Sequence, residues 1–150
     1  MRKSIQTGCP GLDNILGGLA QGGLYIMAAR PGVGKSALGI ALADMMAKNY
    51  NVLYVSLEMT EQELNARRVA AVAETSCTFG TLLFGTTSEK DDTEVINACG
   101  KLYERRLLLS AVSAMTVPVL EIQARNTGAE VVMVDYLGLL SSENRRLNEY

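Results

Sequence analysis

Ala29-Arg30-Pro31-Gly32-Val33-Gly34-Lys35-Ser36 stands between a short apolar run, Leu24-Tyr25-Ile26-Met27-Ala28, and an amphipathic run over residues 37–48. That order reads as strand, glycine-containing loop and helix, and its close, Gly-Lys-Ser, is the end of a P-loop. Gly32 and Gly34 let the backbone turn its N–H groups inward, where a side chain would block a phosphate. The helix that follows adds its unpaired N–H groups and the positive end of its dipole. Lys35 would reach β- and γ-phosphates as a point charge, and the Ser36 hydroxyl would ligate Mg²⁺. The usual pattern is Gly-x-x-x-x-Gly-Lys-Ser/Thr; here Ala29 stands at its first glycine. A bare glycine turn that carries a lysine is the other reading of the loop taken alone.

Working outward, the chain has 150 residues, enough for one domain that buries its own core. Hydrophobic residues make up 48% and charged residues 20%, the balance of a globular protein. The formal net charge is −2, so no basic excess announces nucleic-acid contact. Cys9, Cys77 and Cys99 lie far apart and show neither metal-ligand spacing nor a paired framework, which reads as free thiols in a reducing cytoplasm. There is no histidine, which excludes a Ser-His-Asp triad and His-ligated metals. No apolar run approaches the roughly 20 residues of a membrane span, and no signal peptide, repeat or low-complexity linker is visible.

Upstream of the loop, residues 1–23 are rich in glycine and polar residues and read as connecting structure with a short helix over residues 12–16, ended by Gly17-Gly18. Downstream, Leu38, Ala41, Leu42, Met45 and Met46 recur at helical spacing as a core face, and Asn49 offers a left-handed stop. Asn51-Val52-Leu53-Tyr54-Val55-Ser56 reads as a strand, and Thr60 with Glu63 as a capping box opening a helix to about residue 73. Glu58 therefore lies between a strand's carboxyl end and a helix N-terminus, on the sheet edge where open parallel sheets bind ligands. Such a carboxylate either orients and deprotonates a water or is a surface group in a connecting loop. Arg67-Arg68 on that helix read as a solvated face, or with Arg67 turned inward toward a carboxylate.

Residues 74–92 read as a polar loop docked by Leu82-Leu83-Phe84. A helix face follows at Val95, Ile96, Cys99, Leu102 and Tyr103, then a short strand at Leu107-Leu108-Leu109-Ser110. Thr116 can cap a helix that carries Pro118 in its first turn and stops at Gly128. Glu130-Val131-Val132-Met133-Val134-Asp135 reads as a buried parallel strand closed by an aspartate. With the P-loop upstream, that carboxylate reads as a Walker B element holding Mg²⁺ through water. The alternation of strands and helices predicts an α/β domain with a mainly parallel sheet.

Together, Thr7-Gly8 with Leu12-Asp13, the loop at residues 29–36, Ser56-Leu57-Glu58-Met59 and Asp135-Tyr136-Leu137-Gly138-Leu139-Leu140 resemble the ATPase domain of DnaB-type replicative DNA helicases. Ala-Arg-Pro before Gly-x-Gly-Lys, and Ser-Leu-Glu-Met, are the specific parts. ATPases of the recombinase and circadian-clock type share the Thr-Gly…Leu-Asp opening and usually lack these. The resemblance spans about residues 5–140.

It implies a RecA-like P-loop NTPase core, with ATP and Mg²⁺ as cofactors. It also implies a homo-oligomeric, hexameric ring that translocates on single-stranded DNA in the cytoplasm, with no membrane partner. Nucleotide would be held by Arg30, Pro31, Gly32, Val33, Gly34, Lys35, Ser36 and Ala37. Lys35 and Glu58 would be catalytic, Glu58 as general base, and Ser36 and Asp135 would take the metal. Arg67 falls where the family also has an arginine, in a supporting role. Ala29 is the family's own substitution.

Family members continue past Leu140 into a sensor strand, DNA-binding loops and an arginine finger. On this reading residues 1–140 are the N-terminal portion of the domain and 141–150 a polar, loosely ordered tail, so the fold is incomplete on its C-terminal side. A strand would be missing between the P-loop strand and the Walker B strand. Open edges are costly, so the two strands are expected to pair directly or to be bridged by the tail or another chain. Three functions compete: the ATP-binding portion of a helicase with little turnover of its own, a nucleotide-binding regulatory or assembly module without turnover, and a P-loop fold whose site holds nothing.

Overall fold

The structure is a computed structural model, and it describes residues 4–73 and 77–141. The chain opens with β1 (Ser4–Ile5), α1 (Pro10–Leu16) and β2 (Leu19–Ala20); β1 and β2 pair antiparallel. After the P-loop come α2 (Lys35–Met46), β3 (Val52–Ser56), α3 (Glu61–Val72), α4 (Phe79–Phe84) and α5 (Glu89–Tyr103). Then follow β4 (Leu107–Ala111), β5 (Met115–Thr116), α6 (Val117–Thr127), β6 (Val131–Asp135), a 3₁₀ turn (Leu137–Leu139) and β7 (Leu140–Ser141).

The central sheet has the order β4-β3-β6, all parallel. All five residues of β3 are buried, because it has neighbours on both edges and helices on both faces. Side chains alternate across a strand, so β3 feeds two cores. Val52 and Tyr54 pack with Ile40, Ala43 and Met46 of α2 and with Leu64 of α3. Leu53 and Val55 pack on the other face with Leu57, Met115 and, from α6, Leu120 and Ala124. A third cluster joins α3 to α5 through Val69, Ala98 and Leu102. The core face of α2 is offset from the expected one. Ile40, Leu42, Ala43 and Met46 are buried, whereas Leu38 is 49% exposed. The helix starts at Lys35, two residues before the amphipathic pattern, and its axis is set by packing on β3.

Local chemistry accounts for most ends. Thr60 and Glu63 form the expected capping box on α3. Gly17 and Gly128 stop α1 and α6 in the left-handed conformation. Asn49 does not, because no residue other than glycine has a positive φ among those described; α2 ends at Ala47 in right-handed geometry. Thr116 is the N-cap of α6, but its side chain donates and accepts no cap bond. The segment read as a polar loop holds a helix. Thr78 and Thr81 cap α4, Ser88 and Asp91 cap α5, and Leu82 docks on the third cluster while Phe84 stays exposed. The opening stretch is more than connection. The Asp13 carboxylate accepts from the Thr7 amide (2.8 Å), the Thr7 hydroxyl (2.7 Å) and the Gly8 amide (3.0 Å).

The expected strand before the P-loop does not form. Residues 24–28 join no ladder, and Leu24 and Ile26 are 89% and 75% exposed. Among the described residues β6 is paired along one edge only, so its Val132 is 39% exposed rather than sealed on both faces. The two segments neither pair nor are bridged by a described residue. Of this segment Met27 alone is seen to reach α2, its side-chain end lying 3.6 Å from where a Cβ on Gly39 would stand. Ser141, read as tail, belongs to β7, which pairs with β5; residues 142–150 lie outside the described residues.

Leu64 is fully buried in the first cluster, between α3 and the sheet. Leu64→Ala should cost about 2–5 kcal/mol of stability, read as a lower urea midpoint, through lost transfer energy and the cavity left behind. A midpoint within about 0.5 kcal/mol of the parent would show that α3 does not pack there.

Candidate functional site

The loop at residues 29–36 is positioned from both sides. Its α2 end is held by packing, and its middle by a turn in which the Val33 amide donates to the Arg30 carbonyl at 3.4 Å. Gly32 and Gly34 have φ of 78° and 104°. A Cβ at either would meet nothing within 4 Å, so backbone conformation rather than space demands glycine here. Gly34 is the N-cap of α2, no side chain caps the helix, and no acidic residue sits in its first turn. The leading amides of a 12-residue helix thus stay open to an anion.

A cleft of about 610 Å³ opens there, within the usual range for a small-molecule site. It is lined by Ala29, Arg30, Pro31, Gly32, Gly34, Lys35, Ser36, Ala37, Glu58, Arg67 and Tyr136. Of the loop residues read from sequence, Val33 alone is not in the lining; its side chain is 71% exposed. Glu58 reaches the cleft because Ser56 folds the turn after β3. Its hydroxyl donates to the Met59 carbonyl (2.8 Å) and accepts from the Met59 amide (2.9 Å).

Asp135 does not line the cleft; it is buried just behind it. Its Oδ1 accepts from Lys35 Nζ at 2.5 Å, and its Oδ2 accepts from the Tyr54 hydroxyl at 3.0 Å. The Lys35 ammonium also stands 5.2 Å from the ring centre of Tyr136. Burial pushes the Asp135 carboxyl up, but hydrogen bonds from Lys35, Ser36 and Tyr54 outweigh it and hold the group below the ordinary carboxylate value. Burial, then the Asp135 charge, pushes the Tyr54 phenol far above its usual range, so Tyr54 is a neutral donor.

The adjacent arginines part ways. Arg68 is buried and gives a two-pronged bond to Asp44, with a further bond to Asn65, so it is not a solvated face. The reason is that α3 packs across α2, which brings Asp44 to it. Arg67 turns inward, onto the Phe79 ring (4.4 Å to its centre) rather than onto a carboxylate. Its Nε is buried without a hydrogen-bond partner among the described residues. Arg67 lines the cleft, and its guanidinium adds positive charge beside the glycine loop, which suits an anionic ligand. No group of three or more His, Cys, Asp or Glu residues is placed to hold a metal among those described. One hydroxyl and one nearby carboxylate suit Mg²⁺, which keeps waters and takes phosphate oxygens, better than a cation that needs a protein cage.

Sequence reasoning does not single out Tyr54, Phe79 or Tyr136. A tyrosine inside an otherwise aliphatic strand is the available signal for the first, since its hydroxyl needs a buried partner. Phe79 carries none, and Tyr136 stands in the stretch at residues 135–140 with no role of its own read for it.

A family model, "DnaB-like helicase C terminal domain", matches residues 4–149. The chain belongs to this family. Among curated relatives, "Replicative DNA helicase DnaB" of Treponema pallidum (strain Nichols) is 33% identical over 146 residues, covering 93% of this chain and 33% of that protein. The protein of the same name from Geobacillus stearothermophilus is 30% identical over 147 residues, covering 94% and 32%. The chain thus spans about a third of the length of these relatives. Two solved structures share the fold, each with a TM-score of 0.87 at 24% identity over 99% of this chain. One is described as an ATPase domain, of which 54% is covered. The other is a DnaB-like replicative helicase described with its primase interactions, of which 36% is covered. The fold of this DnaB-like domain is accordingly that of RecA-like helicase ATPases, with a parallel sheet between helices. No helix of the described residues is long and apolar enough to cross a membrane.

Asp13 and Asp135 both have lowered carboxyl values, Asp13 chiefly through the Thr7 amide bond. The unfolded chain takes up these protons first, so their contribution is complete above the ordinary value of 3.8 and is lost as pH falls below it. Thermal midpoints between about pH 6 and about pH 3 should fall less steeply for Asp13→Asn than for the parent; parallel curves would rule out the Asp13 contribution.

Proposed function

We propose that this chain is the ATP-binding portion of a replicative DNA helicase, residues 1–140, together with Ser141 of β7, forming the N-terminal part of its ATPase domain and the residues after them a polar tail. One juxtaposition carries the reading. The P-loop lysine, the open amides of α2, Glu58 and Arg67 share one cleft, with Asp135 bonded to the lysine from behind. Three segments far apart in sequence, residues 29–37, residues 58–67 and Asp135, meet at the end of one sheet, and each brings a group that phosphoryl chemistry uses.

In this reading the backbone of residues 30–37 cradles phosphates, with Lys35 adding a mobile charge. Lys35 has three donors, so it can keep one on Asp135 while turning others into the cleft. Ser36 and Asp135 would hold Mg²⁺, the carboxylate through water, and the bound ion would supply charge neutralisation for the phosphates. Glu58, exposed at the rim, is placed to accept a proton from an entering water. Arg67 supports the anion from the opposite wall. Single-stranded DNA, a hexameric ring of like domains and a cytoplasmic setting belong to the same proposal, drawn from the relatives' description as replicative helicases.

Calorimetric titration of the chain with ATP and Mg²⁺ tests it. Lys35→Ala should weaken binding by ~10- to 100-fold, the worth of one charge-assisted contact. Equal binding by both proteins, or none by the parent, would sink the reading. Turnover on adding single-stranded DNA then separates the helicase portion from a nucleotide-binding module without turnover.

A further inference from the structure

We propose that Tyr54 is a positioning residue for Asp135, holding the carboxylate in the orientation from which it takes Mg²⁺. The proposal rests on the nucleotide reading of the cleft above. Tyr54 sits in the middle of β3 with 1% of its surface exposed. A hydroxyl so deep cannot reach bulk water, and leaving it unpaired would be costly. Phenylalanine would fill the same volume with no such demand.

Strand register explains the partner. Tyr54 lies opposite Met133 and Ser56 opposite Asp135, in a parallel ladder. Met133 and Asp135 project to one face, as side chains two apart do, so Asp135 is the diagonal neighbour of Tyr54 on that face. The length of a tyrosine ring spans that diagonal and brings its hydroxyl to Oδ2 at 3.0 Å. On the α2 side, the space is made by Gly39. A Cβ there would lie 3.3 Å from the Tyr54 hydroxyl oxygen and 3.7 Å from the ring. A glycine therefore occupies the buried face of the P-loop helix where the hydroxyl passes.

The carboxylate has two oxygens and each has its own donor. Lys35 takes Oδ1 from the P-loop, and Tyr54 takes Oδ2 from the core. The two are not equivalent. Lys35 stands on the cleft wall, where a phosphate competes for it. Tyr54 does not line the cleft, so its bond stays when Lys35 turns away. Ser36, the third donor to the carboxylate, lines the cleft as Lys35 does, so Tyr54 is the donor that keeps its hold from the core side while the cleft-side donors turn to a ligand. Groups that orient a metal ligand in this way are commonly worth ~10- to 100-fold in metal affinity.

The test is calorimetric titration of the whole chain with ATP, once with Mg²⁺ and once with a chelator, for the parent and for Tyr54→Phe. Tyr54→Phe should lower affinity at least ~10-fold with Mg²⁺ and less than about 2-fold without it, because Lys35 and the α2 amides meet the phosphates directly. A merely structural role would move both titrations together. If Mg²⁺ strengthens binding equally in both proteins, this inference falls and the nucleotide site stands. If the parent binds no ATP in either titration, the site reading falls and this one with it. Thermal melting of Tyr54→Phe, Asp135→Asn and the double variant gives an independent readout. The double variant should lose less than the sum of the two single losses; additive losses would overturn the bond itself.

Discussion

The contact between the Lys35 ammonium and the Asp135 carboxylate joins two residues 100 positions apart, and the candidate site depends on it. It ties the start of α2 to the end of β6. Without it the glycine loop would be anchored only through its helix, because residues 24–28 give it no strand ladder. The pair is only half withdrawn from water: the lysine side chain is 29% exposed and the aspartate side chain 8%. That asymmetry suits a site in which the cation must turn to a ligand while the carboxylate stays in place. Burial opposes charge on Asp135, and the donors around it decide the outcome.

Behind this contact stands β3. Its alternate side chains feed two cores, so one strand orders the helices on both faces of the sheet. The same strand carries Glu58 beyond its carboxyl end and Tyr54 in its middle, and thus places one group in the cleft and one behind it. The Arg68–Asp44 bond ties α3 to α2, and α3 brings Arg67 into the lining of the cleft. The face of Phe79 holds that guanidinium, which adds positive charge to the lining of the cleft. The phosphate cradle, the rim carboxylate and the rear carboxylate are products of one packing arrangement.

Much of this was legible in the residues themselves. Gly-x-Gly-Lys-Ser after an apolar run, the Thr60–Glu63 capping box, the glycine stops at Gly17 and Gly128, and an aspartate closing an apolar strand are local signals. Local geometry alone satisfies them. The capping boxes at Thr78–Thr81 and Ser88–Asp91 were equally local, and a polar composition concealed them. What could not be read were outcomes of packing: which face of α2 is buried, that Arg68 meets Asp44, and that Tyr54 meets Asp135. Residues 24–28 show the limit most clearly. Their pattern is that of a strand, yet a strand exists only where a neighbouring edge accepts its hydrogen bonds.

By itself the sequence determined the family, the kind of sheet and the four stretches that carry chemistry, because spacing and turn residues act over a few positions along the chain. Tertiary structure alone decided which of those groups touch. It set Lys35 on Asp135 with Tyr54 behind, opened the cleft between Glu58 and Arg67, and turned Val33 out of it. Contacts between residues far apart depend on strand register and on how helices seat upon the sheet, and no local pattern encodes either.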